Sequence, residues 1–403
     1  MKRIFVLTLF LSLWSIITIS ANNAKTDSLY QCKEENDFTN GLDNRAPSFL
    51  INESFLDYEE EKSLYFYPAT DVFVRDAEYF LPMTKGYTAL GFHLNPSFAY
   101  KINDKSRVEL GVHLTGIAGD KKGIRRVLPI VRIEYKPVKW LHIIGGTLYG
   151  NLSHQLYEPM YDFDRYFYSN QEMGLQILTN TRYWDGDIWC NWEQFIVPND
   201  NFQEKFTFGW KNNLKLPLEK VELSIPIDLM ANHRGGQFTA LKDTCIETLI
   251  NFATGFKSKF IGNNQIHFTT EIPLFFFKNQ SNEEHIHTTF HKGWGLYPMF
   301  TIQNNPHKYT KNQWLVNLGF WYGDKYISGR GSYLFQSRSL FDISYQKPIR
   351  KMATAKANYC HQYKGLKLGV EFQAYYDIEE NGIDYAAGIY LNFNRGFKVI
   401  SIK

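Results

Sequence analysis

The sequence has no apolar stretch after residue 19 that is long enough to cross a bilayer as a helix, and its mean hydropathy is −0.35. The mature chain is therefore either soluble and exported, or it crosses a membrane as strands. Aromatic residues make up 17% of the 403 residues. This content favours the second interpretation, because membrane barrels carry aromatic girdles at both interfaces, although a soluble β-sandwich can also be aromatic-rich.

The sequence also has few cysteines and a small net charge. The four cysteines lie far apart with no CxxC spacing, so we expect free thiols that are packed or face lipid: Cys32, Cys190, Cys245 and Cys360. The formal net charge is +3. Such a nearly neutral chain gives no reason to expect a nucleic-acid partner.

The amino terminus has the features of a signal peptide. Met1-Lys-Arg3 is basic, Ile4–Ile19 is apolar, and Ser20-Ala21 is a small pair, so we predict a signal peptide over residues 1–21, with an uncleaved anchor as the alternative. Residues 22–70 are polar and are predicted to form a periplasmic segment or a plug that folds into a lumen. Residues 71–403 are predicted to form the folded domain.

Alternation of apolar and polar residues dominates that domain. In Leu366–Tyr376, apolar side chains occupy the even positions, while Lys367, Glu371 and Gln373 fall between them. Val108–Leu114 and Gln265–Phe276 follow the same period of two. This period is typical of strands with one apolar and one polar face, and no helical period of comparable length competes.

Connection lengths indicate how these strands are arranged. Short turns are predicted near residues 103–105, 136–138, 185–186, 216–218, 262–264, 304–312, 336–339 and 363–365. The longest connections, including residues 150–170 and 278–292, all alternate with these turns. Outer-membrane barrels show this asymmetry of short periplasmic turns and long extracellular loops. We predict an all-β, transmembrane, antiparallel up-and-down barrel of about 16–18 strands with both termini in the periplasm.

At this level the chain resembles the porin-like outer-membrane barrels of Gram-negative bacteria. The resemblance covers the signal peptide and residues 71–394, and it rests on architecture. It implies residence in the outer membrane, contact with outer-membrane lipid and lipopolysaccharide, and insertion by the barrel-insertion machinery. Such barrels usually end on an aromatic residue, whereas here Phe393 is followed by residues 394–403. Either Tyr390–Phe393 acts as an internal signal, or Phe397–Ile402 extends the last strand.

The long connection 150–170 is the candidate constriction. In porin-like barrels one long loop commonly folds into the lumen and narrows it, which here implies a channel for passive diffusion of small hydrophilic solutes, among them saccharides. An external loop packed on its neighbours is the alternative. The charged residues of the candidate constriction are His154, Glu158, Asp162, Asp164 and Arg165.

Polar positions on the predicted strands would line the lumen. Their charges could create a transverse field, or they could be the ordinary lining of a water-filled barrel. The predicted lumen-facing residues are Arg132, Glu134, Glu172, Gln176, Arg182 and Glu371.

The alternatives to a channel are an enzyme acting on envelope lipid or glycan and a structural or assembly barrel. His154 with Glu158, or His113 with Glu109, could supply a base and its orienting carboxylate. No GxSxG or HExxH motif accompanies them, so no catalytic residue and no cofactor is predicted. The histidines of residues 285–291 share a strand face but specify too few ligands for a predicted metal site. The oligomeric state stays open.

Overall fold

The computed structural model describes residues 45–402 except 53, 236–245, 263–265, 282–289, 305–310 and 343. The predicted signal peptide lies outside these residues. Eighteen strand segments form one sheet. They are β1 Ser63–Glu78, β2 Tyr87–Asn103, β3 Ser106–Ile117, β4 Ile124–Val138, β5 Leu141–Thr147, β6 Met173–Asn180, β7 Trp184–Gln194, β8 Lys205–Pro217, β9 Val221–Arg234, β10 Glu247–Ile261, β11 Ile266–Ser281, β12 Lys292–Leu296, β13 Met299–Asn304, β14 Asn312–Asp324, β15 Ile349–Tyr363, β16 Leu366–Asp377, β17 Gly382–Phe393 and β18 Phe397–Ser401.

The sheet closes on itself as a sixteen-stranded antiparallel barrel. β1 pairs with β2 on one side and with β17 and β18 on the other, so β17 and β18 form one wall position. β12 and β13 both pair with β11 and with β14, so they also share a position. The eighteen segments therefore occupy sixteen strand positions in the barrel, and the predicted fold class is confirmed.

The barrel has sixteen strand positions and not eighteen, because the predicted turn at residues 336–339 is wrong. The whole stretch from residue 325 to residue 348 is one connection between β14 and β15. It contains a 3₁₀ turn at Tyr333–Phe335, where the adjacent side chains of Leu334 and Phe335 are both buried. Consecutive apolar residues that are buried together break the period of two that a barrel strand needs.

The two faces of the wall follow the predicted alternation. On β16, Val370 and Phe372 are 41% and 48% exposed, whereas Glu371 and Gln373 point inward and are buried. An apolar exterior suits a lipid environment, because every backbone polar group of a closed barrel is bonded within the wall. The packed core therefore lies inside the lumen, around buried aromatic side chains such as Trp189 and Trp321.

Both ends of the barrel differ in detail from the predicted boundaries. β1 begins at Ser63, eight residues before the predicted start. β18 pairs with β1, so Phe397–Ser401 extends the last strand, which was one of the two predicted alternatives. The turn predicted at residues 185–186 lies instead at residues 181–183, because β7 begins at Trp184. Within the described residues, no helix has the length and apolarity to span a membrane.

Candidate functional site

The connection of residues 150–170 lies inside the barrel and crosses it. Its side chains bond to strands on opposite sides of the wall. His154 Nδ1 lies 2.7 Å from Asp187 Oδ2 on β7, while Tyr375 Oη on β16 donates to Glu158 Oε1 over 2.6 Å. Since β7 and β16 are separated by about half of the sheet order, the connection spans the lumen.

His154 is an anchor of this crossing rather than a free base. Its Nε2 lies 2.8 Å from Glu172 Oε2, so both ring nitrogens contact carboxylates, and its ring stacks on Trp189 with centroids 3.6 Å apart. Burial alone would lower the pKa of His154, but the carboxylates of Asp187 and Glu172 outweigh burial and raise the pKa to about 9. The imidazolium is therefore held charged with neither nitrogen available to a substrate.

The acidic residues of the connection also bind the wall. Glu158 forms an ion pair with Lys356 on β15, and Asp164 accepts a hydrogen bond of 2.9 Å from Arg75 Nη2 on β1. The carboxylate of Asp162 bonds instead within the connection, where it accepts from Tyr168 Oη over 2.9 Å. Burial, reinforced by the carboxylate of Asp164, raises the pKa of Asp162 to about 7.

The remaining charge of the connection, Arg165, begins a single-turn helix, Arg165–Tyr168. Its guanidinium lies 5.3 Å from the ring centroid of Tyr161. The long connections, among them the one between β5 and β6 and the one between β14 and β15, lie at one end of the barrel. We call this end the long-connection rim.

Two further segments fill the lumen with this connection. From the 325–348 connection, Tyr326 Oη donates to Pro159 O over 3.1 Å. From the other end, residues 45–61 enter the barrel, where Arg45 binds Asp228 at 2.8 Å and lies 3.5 Å over the ring of Tyr157. Three chain segments thus meet inside the wall.

Five of the six residues predicted to face the lumen are placed there. Arg132 binds Glu109 across the inner wall at 2.7 Å, and Gln176 donates to Asp187 Oδ1 over 3.0 Å. The other three inward-facing residues are Glu134, Glu172 and Glu371. Arg182 was wrongly predicted to face the lumen: β6 ends at Asn180, so Arg182 lies exposed in the following turn.

Neither base–carboxylate pair proposed from sequence forms. His154 and Glu158 bind different partners, as described above. Glu109 binds Arg107 and Arg132, whereas His113 contacts Thr115 and Asn95. His285 and His287 of the histidine segment lie outside the described residues. Cys190 and Cys360 are free thiols.

Sequence reasoning missed the buried arginines that organise these networks. Arg75, Arg107 and Arg350 are each about 1% exposed and each binds at least one carboxylate. The available signal was their position in the inward-facing register of strands.

Among the described residues of the outer face, two threonine hydroxyls contact an imidazole or a carboxylate. On β9 and β10, His233 Nδ1 lies 2.9 Å from Thr248 Oγ1, and His233 Nε2 lies 3.0 Å from the Gly235 carbonyl oxygen. On β1 and β2, Thr88 Oγ1 donates to Asp76 Oδ1 over 2.6 Å. Both pairs lie towards the long-connection rim, since β1 ends at Glu78, β2 begins at Tyr87, β9 ends at Arg234 and β10 begins at Glu247.

His233 is the better placed base of the two. If Nε2 donates to the Gly235 carbonyl, Nδ1 is unprotonated and can accept the hydroxyl proton of Thr248. The ring also lies 4.7 Å from Phe206, which in turn lies 5.5 Å from Trp192. A hydroxyl, a base and a group that orients the base therefore occur together in an aromatic belt.

Solved structures similar to this chain are outer-membrane barrels of low sequence identity. OprD from Pseudomonas aeruginosa is 6% identical, with 86% of this chain and 97% of that chain covered and a TM-score of 0.47. OccAB4 from Acinetobacter baumannii is 10% identical, with 85% and 100% covered and a TM-score of 0.45. The OmpT loop L8 deletion mutant from Vibrio cholerae is 8% identical, with 83% and 99% covered and a TM-score of 0.48. No curated protein sequence matches.

The closed barrel with its apolar exterior is porin-like in architecture and resides in the bacterial outer membrane, as predicted. A family model for proteins of the lipid A 3'-O-deacylase type matches residues 56–402, which is nearly the whole of the described barrel. The chain therefore belongs to the lipid A 3'-O-deacylase-type family.

Proposed function

We propose that this protein is an outer-membrane hydrolase that removes an ester-linked acyl chain from lipid A. The observation that carries the proposal is the family match over residues 56–402. The lumen supports it, because three segments of the chain occupy the space that a diffusion channel would leave to water. The substrate of such an enzyme lies in the outer leaflet, so its reacting groups belong on the outer face near the rim.

The pair of His233 and Thr248 is the proposed reacting site. The Thr248 hydroxyl oxygen attacks the ester carbonyl carbon while His233 Nδ1 takes the hydroxyl proton. The ester C–O bond then breaks, and the sugar alkoxide leaves with the proton that His233 returns. Water, deprotonated by the same imidazole, releases the fatty acid from Thr248.

The test is acyl release by the full-length protein. Purified protein in detergent is incubated with lipid A, and the products are identified by mass spectrometry. We expect wild-type protein to release one fatty acid, and His233→Asn and Thr248→Val to lose about 10²–10⁴-fold in rate, the range for general-base chemistry. Complete retention of all acyl chains by wild-type protein would overturn the proposed function.

Asp76→Asn and Thr88→Val are the matched comparison, because they remove the threonine–carboxylate pair of the outer face. We expect both to retain the wild-type rate. If these variants lost activity while His233→Asn kept it, the reacting site would lie on β1 and β2, and the proposed reaction class would still hold.

Passive diffusion of small hydrophilic solutes, the function predicted from sequence, is the second candidate, and the charged inner wall is the observation that favours it. Because the lumen is filled, we expect purified protein in planar bilayers to give no stepwise conductance. Regular steps that persist in His233→Asn would support a channel and contradict the filled lumen as the resting state.

A further inference from the structure

The barrel wall has a gap on one side. β5 and β6 contain seven and eight residues, whereas the flanking strands β4 and β7 contain fifteen and eleven. The pairing of β4 with β5 ends at Arg132↔Gly146, and the pairing of β6 with β7 ends at Gly174↔Asn191. Beyond these pairs, β4 and β7 continue towards the long-connection rim with no described strand between them.

The width of this wall gap follows from strand spacing. β4 and β7 are three strand positions apart, and neighbouring strands lie about 4.8 Å apart, so the gap is roughly 14 Å across. The residues that close it from behind belong to the lumen-crossing connection. Arg126 Nη1 on β4 donates to the Ser169 carbonyl oxygen over 3.0 Å and also binds the Tyr168 carbonyl.

A cavity of about 510 Å³ occupies the wall gap, and it is lined by both faces of the wall. Arg126 and Glu172 reach it from the inner face. Met173 and Trp192, which are 37% and 47% exposed, reach it from the outer face. Because the pairing of the wall is interrupted here, the cavity borders side chains of both faces.

The lining is electropositive. It contains four cations and two carboxylates, namely Arg126, Arg165, Lys205, Arg330, Glu172 and Glu193. Both carboxylates are already engaged, since Glu193 pairs with Arg330 and Glu172 binds His154. Arg165 hydrogen-bonds Tyr161 and is attracted by the Glu172 carboxylate, which it shares with His154, whereas the described partners of Arg126 are backbone carbonyls.

One donor in the lining also lacks a hydrogen-bond acceptor. Nε of Arg165 is buried and has no hydrogen-bond partner among the described residues. A buried guanidinium N–H without an acceptor is costly, and a planar guanidinium matches the oxygens of a phosphate. The position of Arg165 therefore favours an anionic ligand.

We propose that the wall gap binds a phosphate of the lipid A headgroup while the acyl chains stay on the outer wall. This assignment rests on the proposed function for the identity of the lipid. A lipid-anchored phosphate fits better than a soluble one, because the apolar side chains of Pro129, Met173 and Trp192 line the same cavity.

The path from the gap to the proposed reacting pair is short. The aromatic row of Trp192, Phe206 and His233 runs along the outer face over two strand positions, roughly 10 Å. A phosphorylated sugar held in the gap would therefore place an acyl ester of the same headgroup near Thr248. The gap sets where the headgroup lies, and the pair on β9 and β10 carries out the reaction.

The test measures binding and turnover separately. Native mass spectrometry of the detergent-solubilised protein compares three probes: bisphosphorylated lipid A, the same lipid A after phosphatase treatment, and inorganic phosphate. We expect Arg126→Gln with Arg165→Gln to weaken binding of bisphosphorylated lipid A by about 10- to 100-fold, as for the loss of charge-assisted hydrogen bonds. KM should rise by a similar factor while kcat changes little.

Two variants control for folding and for general charge. Arg125→Gln removes the neighbouring exposed arginine of β4, whose partner is Asp120, and should bind like the wild type. Arg126→Lys keeps the charge and should recover part of the lost affinity. Equal binding of phosphorylated and phosphatase-treated lipid A, or equal losses in Arg125→Gln, would overturn the proposal.

The outcomes also separate this inference from the proposed function. Phosphate-dependent and arginine-dependent binding without acyl release would support the headgroup site and reject the hydrolase. Acyl release with unchanged KM in the Arg126/Arg165 variant would support the hydrolase and reject the headgroup site. Inorganic phosphate that binds as tightly as lipid A would overturn the assignment to a lipid.

Discussion

Replacing Arg107 by Met is expected to lower the free energy of unfolding by about 3–5 kcal/mol, the range for breaking a buried ion pair. Arg107 binds Glu59, Glu109 and Glu134 at distances of 3.0, 2.8 and 2.6 Å, and its side chain is 1% exposed. The substitution leaves an excess of buried negative charge between the entering segment of residues 45–61 and the inner wall. Urea unfolding of refolded protein in lipid vesicles, followed by tryptophan fluorescence, measures the change.

Arg125→Met is the matched control, because Arg125 is 57% exposed in its ion pair with Asp120. An exposed pair contributes about 0–1 kcal/mol, so this variant should unfold nearly like the wild type. Adding Glu59→Gln to Arg107→Met should recover part of the loss, since it removes one uncompensated charge. Equal stabilities for Arg107→Met and Arg125→Met would show that the buried network does not hold the segment in place.

Unfolding of the wild type should become easier as pH rises from about 6.5 to about 9, and His154→Gln should abolish this dependence. The pKa of His154 is raised to about 9 in the folded protein, against about 6.5 in the unfolded chain. A raised pKa stabilises the fold fully below the unfolded value, and that stabilisation is lost as pH rises through the folded value. The difference corresponds to about 3 kcal/mol.

At acidic pH the free energy of unfolding changes in the opposite direction. Burial alone would raise the pKa of Glu172, but His154 outweighs burial and lowers the pKa to about 2. The stability from Glu172 is therefore present above its unfolded pKa and is lost as pH falls towards 2. Stability measured from pH 3 to pH 10 should show both limbs in the wild type and in His361→Gln, a control whose imidazole contacts the Asn312 amide oxygen. An alkaline limb that persists in His154→Gln would assign it to another group.

The candidate constriction shows how far sequence reasoning reached. The resemblance to porin-like barrels left two possibilities for residues 150–170, an inward fold or an external packed loop, and the structure places that connection inside the wall. The role of each charge did not follow, because the partners lie elsewhere: those of His154 just before β6 and on β7, those of Glu158 on β15 and β16, and that of Asp164 on β1. Their proximity in sequence suggests a pair of His154 and Glu158, but in the structure both side chains bind residues from other parts of the chain.

The sequence by itself determined the all-β class, the alternation of faces and the side of the barrel that carries the long connections. These properties are local, since each residue's side of the wall depends only on the period of two and on where the turns fall. Strand number, the filled lumen and the wall gap were decided by the tertiary structure. Arg75 meets Glu371, 296 positions away in the chain, only because β1 and β17 close the sheet, and the gap exists only because β5 and β6 end before their neighbours. When the sheet closes, side chains meet because they lie at the same height on neighbouring strands, whatever their distance in sequence. A local sequence pattern contains no information about that height.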